Sequence, residues 1–370
     1  MTQSPPLTRE TLIDMMLAYR RTALLRVGLE LGVFDALAEH PADSTAVAAR
    51  LGVRERGTRI LLGALAAVGL LVTDGPRFRL PDGADELLVS TAAGYVGAGV
   101  KVAASHWERE ALGRLTQAVR FGGPVTEADA EAPGFPFWRD FAEHATFATD
   151  AGAAFLADEL RPWAQARGSL DVLDIGCGHG LFGFAVAKLL AIGQVWSLDW
   201  PEVLPIAGRN AEQAGLTRRA HTIAGDAFQV PLGGPYDVVV LGNLLFQFSE
   251  RRAAELLARA AAAVKPDGQL VIVGFTTGDA PPERNYGAQL ISLLMLLWTA
   301  DGEAHSTATY EKLLAAQGFD AVEVCAKPGV QHRVIRASRR PQPTFAFTDV
   351  SAARARGDSG PDDSGDSPIL

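Results

Sequence analysis

Three glycines and three aspartates in this chain are spaced to hold a nucleoside. The segment VLDIGCGHGLFGFAVAK reads as a buried strand ending in Asp174, a turn through Gly176, Gly178 and Gly180, and then a helix. Glycines at such points let the chain turn tightly and bring backbone N–H groups close to a ligand at a helix N-terminus. A glycine-rich loop alone is weak evidence, but Asp199 closes the next strand, where a carboxylate can accept from both hydroxyls of a ribose. Asp226, in AGDAF, ends the third strand and is placed to hold an adenine amino group, with Phe228 nearby as a ring contact and Ala227 in the same set. Trp200, next to Asp199, and Asn243, after the strand YDVVVLG, belong to the same set. His179 lies inside the glycine loop, where contact with the bound nucleoside suits it better than catalysis. Three acids at strand ends also read as surface carboxylates; their joint placement at one sheet edge favours a site.

The spacing separates two nucleotide chemistries. A dinucleotide enzyme normally uses G-x-G-x-x-G in its first strand–helix unit to take up a pyrophosphate. Here the loop is G-x-G-x-G preceded by an acid, which suits S-adenosylmethionine, a sulfonium amino acid without phosphates.

The elements that must position these residues form an α/β unit. From Gly168 onward strands and helices alternate: DVLDIG, QVWSLD, HTIAGD, YDVVVLG and GQLVIVGF read as a parallel sheet with crossover helices, and AVEVCA and HRVIRAS as an antiparallel pair at one edge. In front, apolar residues between Arg9 and Glu39 recur at helical spacing with a break near Gly32. Asp43 or Ser44 caps a second helix, a third runs to Gly69, and LLVTDGPRFRL reads as a hairpin about Asp74-Gly75-Pro76. That order is a winged-helix pattern, open to two readings. As a packing and dimerisation module, its third helix is apolar enough for a subunit interface; as a DNA reader, it would need Arg50, Arg54, Arg56 and Arg59 exposed as a basic strip. The expected organisation is a dimerisation domain over 1–100, a helical region lining the substrate pocket over 101–165, a Rossmann-like domain over 166–338 and a disordered Gly/Ser/Asp/Pro-rich tail over 339–370.

Composition narrows the partners. The 370 residues carry a formal charge of −9, which argues against a general nucleic-acid surface and for a small-molecule partner. No apolar run approaches the roughly 20 residues that span a bilayer, and no export signal is visible, so a cytoplasmic protein without a membrane partner is expected. Cys177 and Cys325 lack metal-spaced companions, so neither a disulfide nor a metal site is expected.

From about residue 10 to 338 the chain resembles the class I S-adenosylmethionine-dependent small-molecule O-methyltransferase family, which includes plant caffeate-type enzymes, acetylserotonin methyltransferase and bacterial natural-product enzymes. ELGVFDAL and ARLGVRERGTRILLGALAAVGLL carry the resemblance in front, LDIGCGHG, SLDWPEVL and GDAF in the middle, and AVKPDGQLVIVGF and YEKLLAAQGF behind. It implies a homodimer with intertwined front helices, S-adenosylmethionine as cofactor, and an aromatic or polyketide-like substrate between the helical region and the sheet.

One departure bears on chemistry. Family members carry a histidine shortly after the fourth strand, in a segment such as N-x-L-H-x-W, whereas GNLLFQF keeps Asn243 and puts Phe246 at the histidine position. Phenylalanine cannot accept a proton. A phenol of pKa about 10 is only about one-thousandth ionised at pH 7, a deficit of about 4 kcal/mol, and a general base is worth about 10²- to 10⁴-fold. Three readings stay open: an acceptor already nucleophilic, such as an electron-rich carbon, an amine or an acidic hydroxyl, with carbon or nitrogen at least on a par with oxygen; another base, with His144 and His305 the candidates; or a cofactor kept for its positive sulfur without methyl transfer, as in relatives that perform hydroxylation or pericyclic reactions. His106, Phe141, Phe246, Met295 and Trp298 are the expected substrate contacts, and core packing explains Met295 and Trp298 almost as well.

Overall fold

The computed structural model describes residues 7–127 and 129–339. Thr8 opens α1 (Arg9–Glu30) by accepting a hydrogen bond from the Thr11 amide. The helix stops before Gly32, whose φ of 74° suits a residue without a Cβ. After α2 (Val33–Ala36), Asp43 rather than Ser44 caps α3 (Ser44–Leu51), taking the Ala46 amide at 2.8 Å. Helix α4 (Glu55–Ala67), the antiparallel hairpin of β1 (Val72–Asp74) and β2 (Arg77–Arg79), and α5 (Ala84–Leu88) complete the front unit. Its core gathers around Phe34, Leu62 and Leu65, to which α1 adds Leu24, Leu25 and Leu29. Earlier in α1, Leu12, Ile13, Met15, Met16, Leu17 and Tyr19 are exposed, Met15 at 70%. That much bare apolar surface on one helix is the mark of an interface.

A helical stretch follows: α6 (Val100–Ala103), α7 (His106–Gly113), α8 (Leu115–Phe121), α9 (Pro136–His144) and α10 (Thr146–Gln165). Gly122, at φ 84°, ends α8, and Pro136 opens α9. Phe135, Phe137 and Trp298 gather in its core, the last two with ring centroids 4.5 Å apart.

The remaining residues build a seven-stranded sheet from β3 (Asp171–Ile175), α11 (Leu181–Ala187), β4 (Gln194–Asp199), α12 (Leu204–Gln213), β5 (Ala220–Ala224), β6 (Tyr236–Gly242), α13 (Glu250–Ala262), β7 (Val264–Gly274), α14 (Tyr286–Trp298), α15 (Thr307–Ala316), β8 (Ala321–Cys325) and β9 (Arg333–Ser338). Its order is β5-β4-β3-β6-β7-β9-β8. The first five are parallel, and β9 runs antiparallel to both neighbours. Strands β3 and β6 are almost wholly buried because helices cover both faces, with Asp171, Asp174 and Asp237 their charged residues. One core joins the sheet to α13 and α15 around Leu256 and Leu314; the other joins it to α10, α11 and α12 around Leu156 and Leu216.

Register aligns Ile175 with Leu198 on one side and Leu241 on the other, so β3, β4 and β6 end together. The chain order reverses between β4 and β6 about β3, which opens a crevice at these carboxyl ends. Two strands differ from expectation. Strand β5 stops at Ala224 because Gly225 turns the chain at φ 130°, leaving Asp226 in a turn, while β7 begins earlier, at Val264. The expected tail, apart from Arg339, lies outside the described residues.

Candidate active site

The crevice is the floor of one cavity of about 520 Å³, walled above by α7, α9 and α14. Asp199 reaches it from the end of β4, and its carboxylate is oriented from behind: Oδ2 accepts the Gly178 amide at 2.7 Å and Oδ1 the Trp200 amide at 2.7 Å. Each oxygen keeps a second lone pair for a ligand. Burial pushes the Asp199 carboxyl up to about 6, against the stabilising pull of those two amides. Gly176 and Gly178 line the wall at φ 67° and 53°. A Cβ added at Gly178 would meet no protein atom within 4 Å, so the loop leaves room for a ligand there. Asp226, Ala227 and Phe228 line the same wall, the Asp226 Oδ1 accepting the Phe228 amide at 2.8 Å and Oδ2 the Gln229 side-chain amide. These groups fit an adenosine: an acidic acceptor pair for the ribose, an acid and a ring for the base, and a bare glycine turn for the remainder.

Asp174 and Gly180, expected as nucleoside contacts, are not on the cavity wall. Asp174 is buried behind the loop, where Oδ2 takes the Gly183 amide at 2.9 Å and so pins the start of α11. Burial pushes its carboxyl up to about 7. Gly180 takes φ 83°, and a Cβ there would collide with the Phe184 ring.

His179 does line the cavity, but both ring nitrogens are occupied. Nδ1 accepts the Leu181 amide at 3.2 Å, which places the proton on Nε2, 2.9 Å from the Thr149 hydroxyl. Burial lowers its pKa to about 4, so the ring is neutral and already committed. Asn243 also lines the wall, at a φ of 51° that asparagine tolerates. Its Nδ2 lies 3.2 Å from the Nε2 of His332. His332 is buried behind the wall between Phe182 and Phe275, and burial lowers its pKa to about 4.

Beyond the nucleoside end the wall becomes aromatic. Phe141, Phe246, Met295 and Trp298 all face the cavity, joined by Phe137 and Trp138, whose indole N–H is satisfied by the Ala130 carbonyl at 2.8 Å. His106, expected among the substrate contacts, is exposed with its ring against Trp107, outside the cavity. It is the first residue of α7, and the wall is met instead by Glu108, two positions on.

The two histidines expected as alternative bases are also off the wall. His305 donates from Nε2 to the Phe248 carbonyl at 3.0 Å and meets Tyr310 edge-on. His144 is half-buried in the last turn of α9, its pKa lowered by burial and then by Lys101. Neither reaches the acceptor end.

Sequence reasoning missed Glu108, Glu131, Gln247 and Arg252, all on the wall. Arg252 lies 4.2 Å over the Phe228 ring, with Nε 2.8 Å from the Glu131 Oε2 as an ion pair without hydrogen-bond alignment. No sequence signal marked them: Glu108 and Arg252 read as charges on solvated helix faces, and Glu131 and Gln247 lie in short segments outside the α-helices.

Residues 157–320 match the O-methyltransferase domain and residues 13–90 the O-methyltransferase dimerisation domain. The 3-hydroxy-5-methyl-1-naphthoate 3-O-methyltransferase of Streptomyces sahachiroi is 30% identical over 328 residues, covering 86% of this chain and 92% of that protein. The N,N-dimethyltransferase OxyT of Streptomyces rimosus is 31% identical over 282 residues, 75% of this chain and 81% of its own. Human N-acetylserotonin methyltransferase, solved in complex with SAM, shares the fold with a TM-score of 0.73 at 24% identity, over 92% of this chain and 99% of that one.

Proposed function

The chain belongs to the O-methyltransferase family and uses S-adenosylmethionine, and from that premise we propose that it methylates a small aromatic or polyketide-like metabolite at a nitrogen or an electron-rich carbon rather than at an unassisted phenol. The observation that carries this is the wall itself: Phe246 stands where the family histidine would, and among the described residues the one imidazole lining the cavity, His179, has both nitrogens engaged.

In this reading Asp199 receives the ribose hydroxyls, Asp226 and Phe228 the adenine, and the turn at Gly176 and Gly178 the amino-acid end. The bound cofactor supplies an electrophilic methyl group on a positive sulfur. The chain's own share is placement. Aromatic faces from α9 and α14 hold a flat acceptor at the end of the nucleoside groove and keep water away from it. An acceptor with a free lone pair then needs no base before it attacks, which agrees with the loss of the histidine. That one relative of 31% identity is an N,N-dimethyltransferase supports nitrogen as an acceptor.

The dimer belongs to the same reading. The exposed apolar face of α1 falls mostly within the stretch matching the dimerisation domain, and pairing with a second copy would cover it. The match supports this reading over a DNA-binding role for the front unit: Arg50, Arg54, Arg56 and Arg59 are all exposed, but Arg50 donates to the Ala36 carbonyl and Arg59 pairs with Glu55.

The test is a rate comparison at neutral pH between 1-naphthylamine, an aryl amine whose lone pair carries no proton there, and 1-naphthol with S-adenosylmethionine, reading methylated product by mass spectrometry. The amine is expected to react at least about a hundredfold faster, the lower end of what a missing base is worth. A faster phenol would overturn the assignment of the acceptor.

A further inference from the structure

Glu108 stands alone on the aromatic half of the cavity. Ser105 caps α7 and its Oγ accepts the Glu108 amide at 3.1 Å, so Ser105 and Glu108 have the spacing of a reciprocal capping box. The box is not closed, because the Ser105 amide bonds instead to the Val102 carbonyl at 3.1 Å. The Glu108 side chain makes no return bond to its helix N-terminus, and the residue lines the cavity in company with Phe137, Trp138, Phe141 and Trp298.

Among the described residues no cation lies within ion-pairing distance of it. On α7 itself His106, Arg109 and Glu110 are exposed, and Arg109 is bound to the Ala104 carbonyl. From the elements packed on α7, α8 offers the exposed Arg120 and α14 the largely exposed Tyr286. Across the cavity Glu131 is matched by Arg252, while Asp199 and Asp226 serve the nucleoside end. Burial pushes the Glu108 carboxyl up to about 7. A carboxylate taken out of water without a partner is costly, and in a cavity that cost is recovered by a ligand bringing the opposite charge.

We propose that Glu108 is the counter-ion and proton acceptor for a substrate that carries a protonated amine on an aromatic scaffold. The ammonium pairs with the carboxylate, and the surrounding ring faces add cation–π attraction that a neutral hydroxyl would not receive. The binding half of the proposal stands alone; the proton-transfer half rests on the methyl-transfer reading above. In turnover one ammonium proton passes to the Glu108 carboxylate, freeing the nitrogen lone pair. That pair forms the N–CH₃ bond as the S–CH₃ bond breaks with its electrons left on sulfur. The products are S-adenosylhomocysteine, a methylated ammonium and a protonated Glu108, which then releases its proton to water.

Binding to the full-length protein saturated with S-adenosylhomocysteine tests this, using calorimetry with 1-naphthylmethylamine, a cation across the range, and its neutral isostere 1-naphthylmethanol. At pH of about 8 the amine is expected to bind about tenfold tighter than the alcohol, the scale of one charge-assisted hydrogen bond, and the preference should fade toward pH about 6 as Glu108 is protonated. Glu108→Gln should abolish the preference and its pH dependence while alcohol affinity is retained, which also shows that the cavity is intact; Glu108→Asp should restore part of both. An amine preference unchanged in Glu108→Gln, or an alcohol bound as tightly as the amine at pH about 8, would overturn the proposal. Amine binding lost in Glu108→Gln, with no methylated product from any acceptor, would uphold Glu108 as counter-ion and overturn the methyl-transfer reading together with the proton-transfer half.

Discussion

Replacing Asp199 by asparagine isolates one carboxylate oxygen at the nucleoside end. In the native protein both oxygens accept a backbone amide at 2.7 Å, and both retain a lone pair toward the cavity. Asparagine exchanges one oxygen for an NH₂ group, which faces either the Gly178 or the Trp200 amide donor to donor and offers one ribose hydroxyl no acceptor. The remaining oxygen loses its charge. A hydrogen bond to a charged group is worth about 1.5–3 kcal/mol, so losing one and weakening the other should cost about 2–3 kcal/mol, or about 30- to 150-fold in affinity. Calorimetric titration with S-adenosylhomocysteine measures this directly. Because burial raises the Asp199 carboxyl to about 6, the native affinity should climb as pH rises through that value and level off above it, and the variant should lose the slope. A variant that binds within about threefold of the native protein at neutral pH would refute the placement of the ribose, since even one neutral hydrogen bond is worth about that much.

Three further outcomes are expected. Glu108 is protonated more readily folded than unfolded, so its favourable contribution is full below about 4.5 and lost as pH rises through about 7; the cofactor-free Glu108→Gln variant should therefore melt higher than the native protein at alkaline pH and not in acid, and equal melting in both would contradict the buried, unpaired carboxylate. Met15→Glu combined with Tyr19→Glu puts two charges one turn apart on the bare face of α1 and should turn a dimer into a monomer in sedimentation experiments, whereas a native protein that sediments as a monomer would remove the interface. Phe246→His returns an imidazole to the wall and should raise methylation of 1-naphthol by at least about tenfold, with a rate that climbs through pH about 6.5; no gain would mean that the position does not face the acceptor.

The sheet was legible because strands buried on both faces carry continuous apolar runs, as in VVVLG of β6 and LVIVG of β7, and because glycine and aspartate mark the carboxyl ends of several strands. Asp199, Asp226 and the loop glycines were therefore found from spacing. Spacing could not tell which oxygen faces outward: Asp174 and Asp199 both end strands of the same sheet, yet the first ties down α11 and the second meets the cavity. The same limit applies to the helices. His106 and Glu108 sit two positions apart on α7, and only the packing of α7 against α14 decides that the glutamate turns inward. His332 was invisible for a related reason, since it meets Asn243 from 89 positions away in the chain. The exposed face of α1 is the opposite case, where a helical period suggested an amphipathic element and the described chain leaves most of that apolar surface bare.

The central claim is that the methyl group of S-adenosylmethionine leaves the cofactor for a small acceptor held in this cavity. Turnover with methyl-deuterated cofactor and a panel of aromatic amines, enolisable carbonyl compounds and phenols, read by mass spectrometry, tests it most directly. An intact labelled methyl group is expected on nitrogen or carbon of the product, with one S-adenosylhomocysteine formed for each methyl transferred. An acceptor converted while the labelled cofactor stays whole would contradict it.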